Sequence, residues 1–267
     1  NIAKGSFRNT GTAVNDIGRA ILGRIPQLDI EHNNAIKARL KGADLAGADL
    51  SGSDRTGAAL RDAVLVGVRA TMWRTDGADM SGALTDNKSA GEPVGKMPAA
   101  EMLSEHAQWC ESGGASGQPS VFDGVDLRAL KSIRGYNLTA LSAKGAVFYG
   151  LDMGGVQLQG AHLEGADLRS VNLRGADLRG ARLAQARLDG ADLREAQLGP
   201  LMSPADRLMP VDLSGASLKS ADLSGADLKR ANLANAELNR AIMHGACLRQ
   251  AEMRGAITTG ARGLDLA

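Results

Sequence analysis

Residues 161–200 read AHLEG ADLRS VNLRG ADLRG ARLAQ ARLDG ADLRE AQLGP. Each unit of five centres on leucine: Leu163, Leu168, Leu173, Leu178, Leu183, Leu188, Leu193 and Leu198. Two places before each centre stands a small residue: Ala161, Ala166, Val171, Ala176, Ala181, Ala186, Ala191 or Ala196. An apolar period of five fits neither the 3.6 of a helix nor the 2 of an ordinary strand, and a helix would scatter these leucines around its circumference. If each unit forms one side of a square and the chain turns at every corner, the small residue and the centre point inward. Four units then close one coil. The glycines that end units, such as Gly165, Gly175, Gly180 and Gly190, fall at corners that need positive φ or close backbone approach.

Outward from this stretch the phase persists. It resumes at Leu213 and runs through Leu218, Leu223, Leu228, Leu233, Leu238, Met243, Leu248 and Met253; the step from Leu198 to Leu213 is three fives, so the interruption preserves it. Backward it reaches Leu158, Met153, Phe148, Ala143, Leu138 and Ile133. An earlier block in another phase carries Leu40, Leu45, Leu50, Leu60, Leu65 and Met80, with Arg55 and Ala70 as poor matches. One coil cannot stand alone: stability must come from hydrogen bonding and shared burial between neighbouring coils. Coils stacked at about 4.8 Å make the main block a rod about 30 Å long.

Units such as ADLRG at 176–180 and ADLSG at 221–225 are similar to the A(D/N)LxG signature of the pentapeptide-repeat family, of bacterial type. The resemblance implies an all-β solenoid, a right-handed quadrilateral (four-sided) β-helix with short helical cap or insert segments. It implies little about activity, because the motif residues are the ones that build the coil.

The pattern divides the chain into an N-terminal segment 1–37 with a cap helix, a short first repeat block 38–84, a linker 85–121, and a main β-helix 122–267 with a loop insertion at 199–210. The cap helix is expected from the stripe Val14, Ile17, Ile21 and Ile25. Within the linker, Pro98 suits the first turn of a helix and Gly113 its exit, which places a helix at about 98–112 with Met102, His106 and Trp109 on one side. That helix is expected to cover apolar surface and unpaired backbone of the rod. The segment GPLMSPADRLMP at 199–210 contains three prolines and is expected to bulge outward.

Composition narrows the function. Lys plus Arg number 31 against 30 Asp plus Glu, a formal net charge of +1, and aromatic residues are 3% of the chain. Interleaved carboxylates and few stacking groups argue against direct nucleic-acid binding. No apolar run suggests a membrane span and no signal peptide opens the chain, so a cytoplasmic location is expected; Asn1 stands where an initiator methionine would, which leaves room for residues upstream. Cys110 and Cys247 match no metal or disulfide spacing. His32, His106, His162 and His244 are scattered, Gly95 and Lys96 lack the rest of a phosphate loop, and GGASG at 113–117 has its serine one place late for a nucleophile elbow. The expectation is therefore a non-enzyme with no catalytic residue, metal ligand or cofactor. Asp167, Asn172, Asp177 and Asp192 lie on diverging sides of the coil and are expected to bond locally to backbone amides.

What remains is the surface. Basic residues follow the centres at Arg169, Arg174, Arg179, Arg194, Lys219, Lys229, Arg249 and Arg254, and acidic residues precede them at Asp222, Asp227, Glu237 and Glu252. A twenty-residue coil aligns Arg174 with Arg194 and Lys229 with Arg249. The expected function is a protein–protein interaction or scaffold module presenting a rigid charged rod to a protein partner through Arg174, Arg194, Arg254, Lys229, Arg249 and the loop residues Leu201, Met202, Arg207 and Met209. A homodimer through a rod end is a further expectation. The family resemblance implies two alternatives: a DNA-mimic inhibitor or protector of a type II topoisomerase (gyrase), and a targeting or sensory module of a larger signalling protein.

Overall fold

The computed structural model describes residues 40–50, 57–69, 76–86, 98–203 and 205–264. The cap-helix stripe at 13–25 and the poor matches Arg55 and Ala70 lie outside the described residues. The chain divides into two compact units, Asn1–Lys88 and Ser89–Ala267.

In the first unit, parallel bridges join Asp44 to Val64, Asp49 to Arg69, Ala59 to Asp79 and Val64 to Leu84. Residues twenty apart are thus neighbours, and four units of five return the chain to the same side. Leu40, Leu45, Leu50, Leu60 and Leu65 form its core with Ala58 and Ala63.

The second unit opens with α1 (Ala99–Glu111). Pro98 precedes it, where a missing N–H costs nothing. Gly113, at φ 63°, turns the chain out at the other end, where the Gly114 N–H donates to the Trp109 carbonyl at 2.8 Å.

From Val121 onward the chain coils. Each unit contributes one bridged residue immediately before its centre, so regular β structure is sparse although pairing is continuous. The unit around Leu168 is typical. Its Leu168 N–H donates to Arg187 O at 2.7 Å in the next coil, and its Asp167 N–H donates to Ala146 O at 2.8 Å in the preceding one. The corner is a β-turn closed by Ala166 N–H to Leu163 O at 3.0 Å, with Gly165 at φ 67° in its third position. The centres from Leu163 through Leu238 are at most 1% exposed and Leu248 is 8% exposed; the small residues two places before the centres, from Ala161 to Ala236, are equally buried. Small and large inward residues therefore alternate around a closely filled core.

Two departures from the twenty-residue interval matter. In the first coil Val121 pairs with Ser142 and Asp126 with Val147, one residue longer, which a 3₁₀ turn at Arg128–Leu130 and Lys131 at φ 60° absorb. Later, Arg182 pairs with Asp212, Arg187 with Ser217, Asp192 with Asp222 and Gln197 with Asp227, thirty residues apart. The additional ten form an antiparallel hairpin, β1 (Leu201–Met202) and β2 (Leu208–Met209), with Leu201 opposite Met209 and Met202 opposite Leu208. The coil continues beyond it unshifted.

Candidate functional site

Residues just before and just after a centre point outward from the same side, so an Asp-Leu-Arg unit brings its own carboxylate and guanidinium together. Arg128, Arg169, Arg179 and Arg194 each donate through NH2 to Asp126, Asp167, Asp177 and Asp192 at 2.6, 2.5, 2.6 and 2.6 Å. The carboxylates also accept the backbone N–H two residues on, for example Arg179 N–H to Asp177 at 3.2 Å and Arg194 N–H to Asp192 at 3.1 Å. The Arg194 hydrogen bond holds the Asp192 carboxyl below its ordinary value, and Asp177 raises the Arg179 guanidinium.

One of these pairs corrects the reading of an exposed basic column: Arg169 is 4% exposed and Asp167 7%. Val147 and Arg187 bridge to Asp167 from the coils on either side, with Arg187 4.0 Å from the carboxylate.

The residues chosen from sequence as partner contacts fall into four places. Arg174 and Arg194 share one side; Arg174 pairs with Glu195 at 2.8 Å. Arg254 lies farther along, 3.5 Å from Glu252. Lys229 and Arg249 meet on another side, where with Pro200, Arg230 and Gln250 they line a cleft of about 480 Å³. The hairpin holds the rest.

In the hairpin the two strands turn alternate residues toward the coil. Leu201 and Met209 are half-buried, while Met202 and Leu208 are 55% and 42% exposed. Arg207 is exposed near the tip, where its N–H donates to Ser203 Oγ at 3.2 Å. Leu201 sits on Gly180, where an added Cβ would come 2.7 Å from the Leu201 Cβ and 3.2 Å from the Met209 carbonyl. Sequence reasoning grouped Leu201 and Met209 with the exposed residues and left out Leu208. The alternation of period two within LM and LM was the signal that separates them.

At the start of the coil, α1 meets backbone that has no preceding coil to pair with. Carbonyls such as Gln159 and Arg179 accept N–H groups from Ala140 and Gly160 of the coil before, at 2.9 and 3.0 Å. The equivalent Thr139 carbonyl accepts instead from His106 Nε2 at 3.1 Å and from Cys110 Sγ at 3.5 Å. Ser120 N–H donates to His106 Nδ1 at 3.0 Å, so the ring proton resides on Nε2 and the imidazole is neutral. Burial lowers the His106 pKa from its ordinary value and raises that of the Cys110 thiol. Leu103, fully buried, joins the core of the coil, with Met102 packed against it. Among the described residues no group of three or more His, Cys, Asp or Glu could hold a metal ion, and no helix is long and apolar enough to cross a membrane.

The repeat geometry has a counterpart in known families. The family model for pentapeptide repeats matches residues 34–69, 166–199 and 216–255, in 8 copies. These segments of the chain are pentapeptide repeats. Solved pentapeptide-repeat structures are similar to it over parts of its length. One from the cyanobacterium Cyanothece 51142 is 24% identical, with 51% of this chain and 92% of that one covered and a TM-score of 0.31. One from the Arabidopsis thaliana thylakoid lumen is 30% identical over 44% of this chain and 65% of that one, with a TM-score of 0.28, so this chain spans less than two thirds of that relative. QnrB1, a plasmid-mediated fluoroquinolone resistance protein, is 21% identical over 52% of this chain and 68% of that one, with a TM-score of 0.30. No curated protein matches the chain.

Proposed function

We propose that this pentapeptide-repeat chain is a non-enzymatic interaction module, a right-handed quadrilateral β-helix that serves as a rigid support for docking a protein partner through the β1–β2 hairpin. The observation that carries the reading is the division of labour within the hairpin: Leu201 and Met209 seat it on the coil, and Met202 and Leu208 hold apolar surface outward. An insertion serving only as a connection has no need to be seated on a glycine corner or to expose two large apolar side chains side by side. The occupant that suits such a patch is an apolar surface on another protein, with Arg207 at its rim.

A filled coil supports this role better than an enzymatic one, since chemistry needs a concave, convergent set of titratable groups. The DNA-mimic alternative directed at gyrase requires a continuous acidic surface. Asp126, Asp167, Asp177 and Asp192 are instead each held by an arginine of their own unit, which speaks against it. The test is affinity capture from native lysate with the parent chain and with Met202→Ser/Leu208→Ser. A discrete, stoichiometric partner held by the parent and lost by the double variant is expected. Equal capture by both would overturn the hairpin assignment, and a second copy of the chain as the captured species would redirect it to self-association.

A further inference from the structure

The charge ladder of the coil breaks around Arg249. Along most of it a cation after a centre has a carboxylate: Arg128, Arg169, Arg179 and Arg194 hold the aspartate of their own unit, Arg174 holds Glu195, Lys219 holds Glu237 and Arg254 holds Glu252. At Arg249 the position that would supply this carboxylate is Cys247. One coil earlier Lys229 has Asp227 at 3.7 Å, and the corner residue Arg230 spends its Nε–H on the neutral Gln250 Oε1 at 2.7 Å. Three cations thus stand beside one carboxylate, on adjacent coils that the bridge between Asp227 and Cys247 holds in register.

The shape matches the charge. Pro200, where the chain leaves the coil for the hairpin, borders the cleft together with the cations. The single carboxylate, Asp227, lies toward Gly199, whose Cβ would be 3.4 Å from it, and is not among the residues lining the cleft. Arg230 and Gln250 occupy corners at φ 55° and 62°, a left-handed conformation that glycine adopts without strain.

We propose that the cleft formed by Pro200, Lys229, Arg230, Arg249 and Gln250 is a binding site for a phosphate monoester. A dianion balances the excess of two positive charges, guanidinium groups present paired donors to phosphate oxygens, and about 480 Å³ leaves room for the group that carries the phosphate. The site is separate from the exposed side of the hairpin and does not depend on partner docking there.

The decisive variant is Cys247→Asp, which removes no cation and restores to Arg249 the carboxylate that the other Asp-Leu-Arg units have. Titration of the full chain with inorganic phosphate, followed by the backbone amide resonances of residues 229, 230, 249 and 250, is expected to show saturable shifts. These should weaken by about tenfold or more in Cys247→Asp and in Arg249→Gln, and stay unchanged in Arg174→Gln and in Met202→Ser/Leu208→Ser. Affinity for glycerol phosphate, a monoester, should fall as pH drops through about 6, where the ester loses its second charge. Glycerol phosphate and a capped phosphoserine peptide, titrated in parallel, separate a metabolite from a modified protein by which binds more tightly. Absence of saturable shifts at these residues, or equal affinity in Cys247→Asp, would overturn the proposal.

Discussion

The coils before the hairpin and those after it share one interior and differ outside. Leu168, Leu178 and Leu188 on one side and Leu218, Leu228 and Leu238 on the other are all fully buried, with alanines beside them. On the surface, Asp167–Arg169, Asp177–Arg179 and Asp192–Arg194 neutralise themselves unit by unit, whereas Lys229, Arg230 and Arg249 outnumber their carboxylates. The contrast teaches that inward and outward positions are specified independently. A repeat can keep its coil while its surface changes character within one or two turns.

The largest test of that independence is in the core. Leu168→Ala and Leu228→Ala should each cost about 2–5 kcal/mol by urea unfolding, and by similar amounts despite their different surfaces. A clearly unequal cost would tie the interior to the charge pattern outside. Next is the buried ion pair. Asp167→Ala strands the guanidinium of Arg169 and should cost about 3–5 kcal/mol, while Asp227→Ala, at an exposed site beside a surplus of cations, should cost under about 1 kcal/mol.

The hairpin seat gives a matched comparison. Gly175 and Gly180 have φ of 64° and 66°, but space around the first is open and the second lies under Leu201. Gly175→Ser and Gly180→Ser therefore share a backbone cost. Only Gly180→Ser should increase proteolysis within 200–210, as the hairpin is displaced from the coil. A smaller effect is expected at the cap. Because burial lowers the folded pKa of His106 below 6.5, the unfolded chain takes up the proton first. The contribution of His106 should be complete above about 6.5 and decline as pH falls toward the folded value. His106→Gln should flatten that part of a stability–pH profile. Smallest of all is the exposed pair Arg174–Glu195, for which a double-mutant cycle should return about 0.2–1 kcal/mol, fading with salt.

The coil was legible because its period is unlike that of any helix or strand: the centres from Ile133 to Leu248 could be numbered from leucine spacing alone. The aspartate bonds to nearby amides followed from chain direction. Less legible was anything set by relations across coils. Arg169 occupies an outward position like that of Arg179, yet it is buried, which its place in the repeat does not disclose. The thirty-residue step at the hairpin sets which charges become neighbours, and a phase preserved in fives does not disclose it. His106 was placed on the correct side of its helix, but the free carbonyl of Thr139 that it satisfies belongs to a coil 33 residues away.

The claim on which the functional account rests is that the outward side of the hairpin meets a protein. A photo-crosslinking residue in place of Met202, with a second chain carrying it in place of Arg240 on the bare coil, tests this most directly in native lysate. One discrete adduct from position 202 and none from position 240 is the predicted result. Adducts of the same species from both positions, or none from position 202, would contradict it.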